Sequence, residues 1–314
     1  MERPSYDDPT RYAELAGFDG EWRDTWWNGD FIDLIARRFD LGTCRAALDV
    51  GCGAGHWSHT LHPRLHPEAT LTGVDREPSF VDAARSRAAD ALIPWRDAVG
   101  DAAALPFPDD SFDLTTCQTV LIHVPDPAAV VAEMVRVTKP GGVVLLVEPD
   151  NLTIATSMLQ TSVPLRAEQQ LALLELQLRC EAGKLALGEG EGSIGARLPA
   201  LLETAGVQAV RAFASDKCAL QRPPYAVPEE AVDLNAQLGF SRIDCWLQTG
   251  PRGDTRRHFV AGGGEEAAFE RCWSVACAWM RAFEAQVEAG TYRTTRVVPM
   301  VLCAGQAPAT QAPT

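Results

Sequence analysis

Three glycines within five residues mark where this chain could do chemistry. Leu48-Asp49-Val50-Gly51-Cys52-Gly53-Ala54-Gly55-His56-Trp57 carries an apolar run into a glycine turn, and a helix-like stretch follows at once. Glycines there allow positive φ and let a ligand approach the main chain. The helix start aims N–H groups and a partial positive charge at that ligand. Asp75 comes 24 residues after Gly51, at the end of a second apolar run. A carboxylate so placed can accept from both hydroxyls of a ribose. Asp101, after a third run, can accept from an adenine amino group. Turn, helix and acid together predict a nucleoside-containing ligand. Ligands of open parallel sheets sit beyond the carboxyl ends of the strands, which brings His123, Glu148 and Asp150 into the neighbourhood. His123 is the candidate for proton transfer or acceptor contact, because imidazole titrates near neutrality. Its plainer role is ordering the loop after the fourth strand. Glu148 and Asp150 read as loop-capping or lid contacts.

Two other patterns carry less. His56, His59, His62 and His66 fall within eleven residues. Pro63 interrupts their helix and no carboxylate or thiol completes a set, so no metal is expected. Pro223-Pro224-Tyr225 follows Arg222 far beyond the fourth strand and reads as a loop.

The elements that must position these residues alternate. Strands are predicted at 46–50, 69–74, 96–99, 112–117 and 143–147, with helices at 56–65, 78–89 and 127–137 between them. Lys139-Pro140-Gly141-Gly142 reads as a turn. Val143–Val147 is continuously apolar, as a strand buried on both faces must be. This alternation predicts a parallel sheet with helices on both faces. Residues 1–40 form an aromatic-rich N-terminal helical arm holding Tyr12, Phe18, Trp22, Trp26 and Trp27. Beyond Pro149 come helices at 165–180 and 194–205, a strand at 207–213 and a long helix at 265–288. Phe269, Cys272, Trp273, Ala276, Met280, Phe283 and Val287 share one face of that helix. A closing strand is predicted at 296–303, and a frayed tail beyond.

In this order and spacing the motifs resemble those of the class I S-adenosylmethionine-dependent methyltransferases. Asp49-Val-Gly-Cys-Gly-Ala-Gly55 is similar to their first motif, Gly73-Val74-Asp75 to the second and Asp101–Phe107 to the third. Cys117–Asp126 and Lys139–Gly142 are similar to the later ones. Within that superfamily the chain is most similar to small-molecule enzymes related to the ubiquinone and menaquinone C-methyltransferases. The resemblance covers roughly residues 45–150. It implies an α/β fold: a Rossmann-like, doubly wound, seven-stranded, mostly parallel sheet with an antiparallel last strand and helical insertions. It implies S-adenosylmethionine as cofactor, leaving as S-adenosylhomocysteine, with Asp49, Gly51 and Gly53 at the methionine end and Asp75 on the ribose. Arg76 would lie near the adenine face, Asp101 and Ala102 at the adenine edge, and Cys117 and Gln118 near the methyl group. Tyr12, Trp27 and His123 are candidates for the acceptor wall. The implied organisation is an arm (1–40), a cofactor-binding core (41–150), the remaining sheet with helical lid and substrate insertions (151–304), and a flexible tail (305–314).

Charge narrows the partners. Forty-two acidic and 28 basic residues give a net charge of −14, which disfavours nucleic acid, a partner that demands a basic footprint. No apolar run reaches the ~20 residues a membrane helix needs, so no membrane insertion is expected. Met1–Asp8 lacks the basic-then-apolar pattern of a secretory signal. Nine cysteines without a C-x-x-C pair fit reduced thiols in the cytoplasm. The expected activity is in-line methyl transfer to an O, N or C atom of a small organic acceptor. Alternatives are a protein methyltransferase and a non-catalytic S-adenosylmethionine-binding module. An RNA methyltransferase runs against the charge, and a nicotinamide-dependent oxidoreductase would need NAD in the same crevice.

Overall fold

Short apolar, β-branched runs become the strands of a seven-stranded sheet. In chain order these are β1 (Ala46–Val50), β2 (Thr70–Asp75), β3 (Trp95–Val99), β4 (Phe112–Gln118), β5 (Thr138–Pro149), β6 (Gln208–Ala214) and β7 (Met300–Gln306). Their spatial order is β3-β2-β1-β4-β5-β7-β6. The pairs β2–β3, β1–β2, β1–β4 and β4–β5 are parallel, and β6–β7 is antiparallel. The expected Rossmann-like sheet with an antiparallel last strand is therefore present. The computed structural model describes residues 21–246 and 249–309.

The chain divides into two units. The first comprises Met1–Glu148, Ile194–Ser215 and Met300–Thr314, and the second Pro149–Ser193 and Asp216–Pro299. In the first, helices α1 (Gly29–Arg38), α2 (His56–Leu61), α3 (Pro78–Asp90), α4 (Pro127–Val137) and α5 (Leu198–Thr204) cover the sheet. Alternation along the strands splits its core in two. Leu48, Val50, Val144 and Leu146 pack with Val130, Val131 and Met134 of α4. Ala47, Leu71, Leu145 and Val147 pack with Ile32 and Ile35 of α1. Proline opens α3 and α4, where its missing N–H is no loss, and Asp126 caps α4 by accepting from the Ala129 N–H at 3.1 Å.

The second unit is mainly helical, with long helices at Ala167–Ala186, Pro228–Arg242, Arg252–Ala261 and Glu266–Glu288. On the last, Phe269, Cys272, Trp273, Ala276, Met280 and Phe283 are buried as the spacing predicts. A Cβ at Gly183 would lie 1.7 Å from the His258 carbonyl oxygen, so only glycine lets the first and third of these helices meet. Beside them Asp233 accepts from Arg296 (3.0 Å) and Gln237 (2.8 Å) in a buried polar cluster.

Four expectations change. The strand predicted at 296–303 is two strands. Thr294–Val297 pairs antiparallel with Cys218–Gln221 in the second unit, and β7 starts at Met300. Pro299 separates them because it has no N–H for a ladder. The tail expected from residue 305 starts later: Gln306 still pairs with Gln208, and buried Ala307 donates to the Gly142 oxygen at 2.8 Å. The turn at 139–142 is a bulged part of β5, with Gly141 at φ +75° and a register shift opposite Phe112–Leu114. Nor is the arm separate, since Ile32 and Ile35 are fully buried in the first unit's core. Tyr12 lies outside the described residues.

Candidate active site

Strand order reverses between β1 and β4, and the carboxyl ends of these strands form the crevice such a reversal opens. The glycine turn follows β1, with Gly51, Gly53 and Gly55 at φ +64°, +50° and +83°. At Gly51 a Cβ would lie 2.5 Å from Val120 Cγ2. Glycine is thus required twice there, by φ and by the close approach of the turn after β4.

The predicted acids gather around this turn. Asp75, at the end of β2, accepts the Gly53 N–H through Oδ2 and the Glu77 N–H through Oδ1, both at 3.0 Å. It braces the turn. Asp49 lies beneath, 1% exposed, accepting from the Ser58 hydroxyl at 2.5 Å through Oδ2. Its Oδ1 is buried with no hydrogen-bond partner. Burial pushes the Asp49 carboxyl up to about 7, against the Ser58 hydrogen bond and the Arg23 charge, with Asp75 adding to the rise. A buried carboxylate oxygen without a donor beneath a glycine cradle suits a ligand that brings a cationic N–H donor. These residues fit the methionine end of S-adenosylmethionine.

Arg76 follows Asp75 and is half-buried. Asp101 is exposed after β3 and accepts the Ala103 N–H at 2.8 Å, shaping the loop in which Ala102 is half-buried. Glu133 and Arg136 of α4 fix that loop: the Leu105 N–H donates to Glu133 (2.8 Å), and Arg136 donates to the carbonyls of Leu105 (3.1 Å) and Phe107 (3.0 Å). Cys117 and Gln118 are buried at the end of β4. Burial, with Glu148 and Asp49 near it, raises the Cys117 thiol well above its ordinary value, so it stays protonated.

His123 ends a 3-10 turn, Leu121–His123, and is half-buried. Glu148 builds that turn. It is 0% exposed, and its Oε1 accepts the Val120 and Leu121 N–H groups at 2.9 and 2.7 Å. Burial pushes its carboxyl up to about 7 against those backbone bonds. Asp150 caps Asn151–Ser157 in the second unit, accepting from the Thr153 N–H at 3.0 Å. Both acids make capping contacts. Trp27 packs 5.3 Å from Trp57 and stacks on Phe31 at 6.4 Å, which gives it a core partner.

Several site-building residues escaped sequence reasoning. Arg87 of α3 donates to the Ala54 carbonyl (3.0 Å) and to His56 Nε2 (3.2 Å), while His56 Nδ1 meets Asp24 at 2.7 Å. Burial alone would raise the Asp24 carboxyl, but His56 and Arg87 hold it below its ordinary value. Arg23 Nη2 donates to Thr119 Oγ1 at 2.8 Å. Thr119 itself sits at φ +57°, an outlier for a β-branched residue. Among the described residues no three histidine, cysteine or acidic side chains gather as metal ligands, and no helix is long and apolar enough to cross a membrane.

Residues 48–146 match the family model described as a methyltransferase domain. Demethylmenaquinone methyltransferase from Geobacillus stearothermophilus is 36% identical to this chain over 121 residues, 38% of the present chain and 52% of that protein. The enzyme of the same name from Staphylococcus aureus (strain JH9) is 37% identical over 117 residues, 37% of this chain and 48% of its own. The chain thus spans about half the length of the curated relatives it matches. Two structures of phosphoethanolamine N-methyltransferase 2 from Haemonchus contortus share the domain's fold. One holds phosphomonomethylethanolamine and S-adenosylhomocysteine (14% identity, TM-score 0.51, 98% of this chain and 60% of that one). The other holds S-adenosyl-L-methionine (16% identity, the same TM-score and coverage).

Proposed function

We propose that the chain transfers a methyl group from S-adenosylmethionine to an O, N or C atom of a small organic acceptor. The supporting observation is the glycine turn, braced by Asp75 over the partnerless Asp49 Oδ1. When bound, S-adenosylmethionine supplies a methyl already activated on a sulfonium, so the protein's main task is in-line alignment with the acceptor. In this reading Asp49, Gly51 and Gly53 hold the methionine end and Asp75 the ribose. Arg76, Asp101 and Ala102 flank the adenine, and Cys117 and Gln118 border the methyl. Glu148 fixes the turn that carries His123, whose imidazole takes a proton from the acceptor or orients it.

The demethylmenaquinone enzymes support a small-molecule acceptor, and the charge of −14 disfavours nucleic acid. A reducing, cytoplasmic setting suits nine free cysteines, seven of them buried. Calorimetric titration of the full chain with S-adenosylmethionine, S-adenosylhomocysteine and NAD tests the proposal. The first two should bind and NAD should not. Binding of NAD alone would replace this reading with an oxidoreductase.

A further inference from the structure

The Ala167–Ala186 helix of the second unit is apolar on two opposite faces. Leu173, Leu176, Cys180 and Gly183 are buried on one, where Gly183 lets the backbone meet the Arg252–Ala261 helix. The other carries Leu171, Leu178 and Leu185, 65%, 52% and 58% exposed and spaced seven residues apart. Of the four strongly exposed leucines among the described residues, these are three. Half-buried Leu174 and exposed Ala167, Ala182 and Ala186 share that face. A helix that is apolar all round is normally covered all round. A leucine every seven residues is the period at which one helix seam meets another, and an open apolar strip of this length marks a contact surface.

We propose that this strip is the contact between two copies of the chain, with the two helices antiparallel and Leu178 at the twofold axis. A symmetric contact needs a patch complementary to itself. Leu178 lies midway between Leu171 and Leu185, so an antiparallel partner sets Leu178 against its own copy and each Leu171 against the other's Leu185. The charges beside the strip agree. Glu175 and Arg179 stand on one flank, both partly exposed and 3.9 Å apart within the helix. Reversing the second helix brings Glu175 of one copy alongside Arg179 of the other, twice over by symmetry. The same flanks disfavour a bilayer: helices that lie on membranes carry Lys and Arg beside the apolar face. Here Glu168, Glu175 and Glu181 outnumber Arg179, in a chain of net charge −14. A helix of 20 residues is about 30 Å long, so the pair covers less than the ~800 Å² each partner gives a stable dimer. The dimer is therefore expected to form and dissociate with concentration. The proposal stands apart from the methyl-transfer reading.

Sedimentation equilibrium of the full-length chain tests it across the range where interfaces of modest area dissociate, about 1 µM to about 200 µM. The average mass should rise from one chain towards two. Leu178→Glu sets two carboxylates together at the axis and should hold the mass at one chain, with the wild-type circular dichroism spectrum. Crosslinking reads the orientation, in a Cys218→Ser background that removes the exposed native thiol. Under mild oxidation Leu178→Cys should give a linked dimer by itself, and Leu171→Cys and Leu185→Cys only when mixed. A disulfide needs Cα atoms within about 7 Å, which the antiparallel register allows for those pairs alone. The crosslinks carry the test whatever Leu178→Glu does to the fold. The proposal is overturned if the wild type stays a single chain at the highest concentration, if folded Leu178→Glu dimerises as the wild type does, or if Leu171→Cys links to itself as parallel helices require. Co-sedimentation of the single chain with phosphatidylcholine vesicles, lost in Leu178→Glu, would also overturn it and assign the strip to a lipid surface.

Discussion

Asp75 does two jobs with one carboxylate. It accepts the Gly53 and Glu77 N–H groups, and in the proposed function it also takes the ribose hydroxyls. Asp75→Ala should therefore weaken S-adenosylmethionine binding by roughly 1.5–3 kcal/mol, the range for losing hydrogen bonds to a charged group. Calorimetry that finds the affinity unchanged would remove Asp75 from the ribose. His123→Ala should lower turnover more than cofactor affinity; equal turnover would leave His123 with loop ordering alone. Asp49 gives a pH prediction. Its ordinary value is 3.8, and burial raises it to about 7 in the folded chain, with Arg23 and Asp75 the charges that act on it. A carboxyl raised on folding stabilises fully below its unfolded value, and that stability is lost as pH climbs towards the folded one. Between about pH 4 and pH 7, burying Asp49 therefore becomes progressively less favourable. Asp49→Asn cannot ionise, so its melting temperature minus that of the wild type should become more positive from pH 5 to pH 8. A difference independent of pH would show that Asp49 does not titrate in this range.

The turn between β1 and α2 is the element on which the site depends, and Val120 closes on it from the end of β4. Gly51→Ala must adopt a left-handed φ, at about 1–2 kcal/mol, and must displace Val120 Cγ2, 2.5 Å from the new methyl. The expected result is a loss of S-adenosylmethionine affinity of about tenfold or more with the sheet intact by circular dichroism. Adding Val120→Ala should restore part of it, because the clash goes and the φ penalty remains. Full wild-type affinity in the single variant would contradict the close approach. Much of this element was legible in the sequence: glycine spacing, the apolar runs of β1 and β2, and Asp75 are all local signals. What holds it was not. Arg87 lies 33 residues from Ala54, and Arg23 lies 96 from Thr119, separations that no periodicity reports. Glu148 was legible as a capping residue, but not that its partners would be the N–H groups of Val120 and Leu121.

Over the whole molecule, the parallel part of the sheet followed from alternating strands and helices and its return from the strand-like runs at 207–213 and 296–303, whereas the break at Pro299 did not. Residues 194–215 and 300 onward rejoin the first unit after insertions whose helices carry weak signals. Arg252–Ala261 shows the reason: it is strongly polar, and it packs because Gly183 and Gly262 let two backbones meet. The resemblance covered residues 45–150, and the helical unit depends on tertiary packing that sequence spacing does not encode. The central claim is that the main chain at 51–55, with Asp75 and Asp101, cradles an adenosyl group. A crystal structure of the full chain grown with S-adenosylhomocysteine tests it most directly. The account predicts the ribose on Asp75, the adenine beside Asp101 and the amino-acid end over Asp49. Adenosine bound elsewhere, or a crevice left empty at saturating ligand, would contradict it.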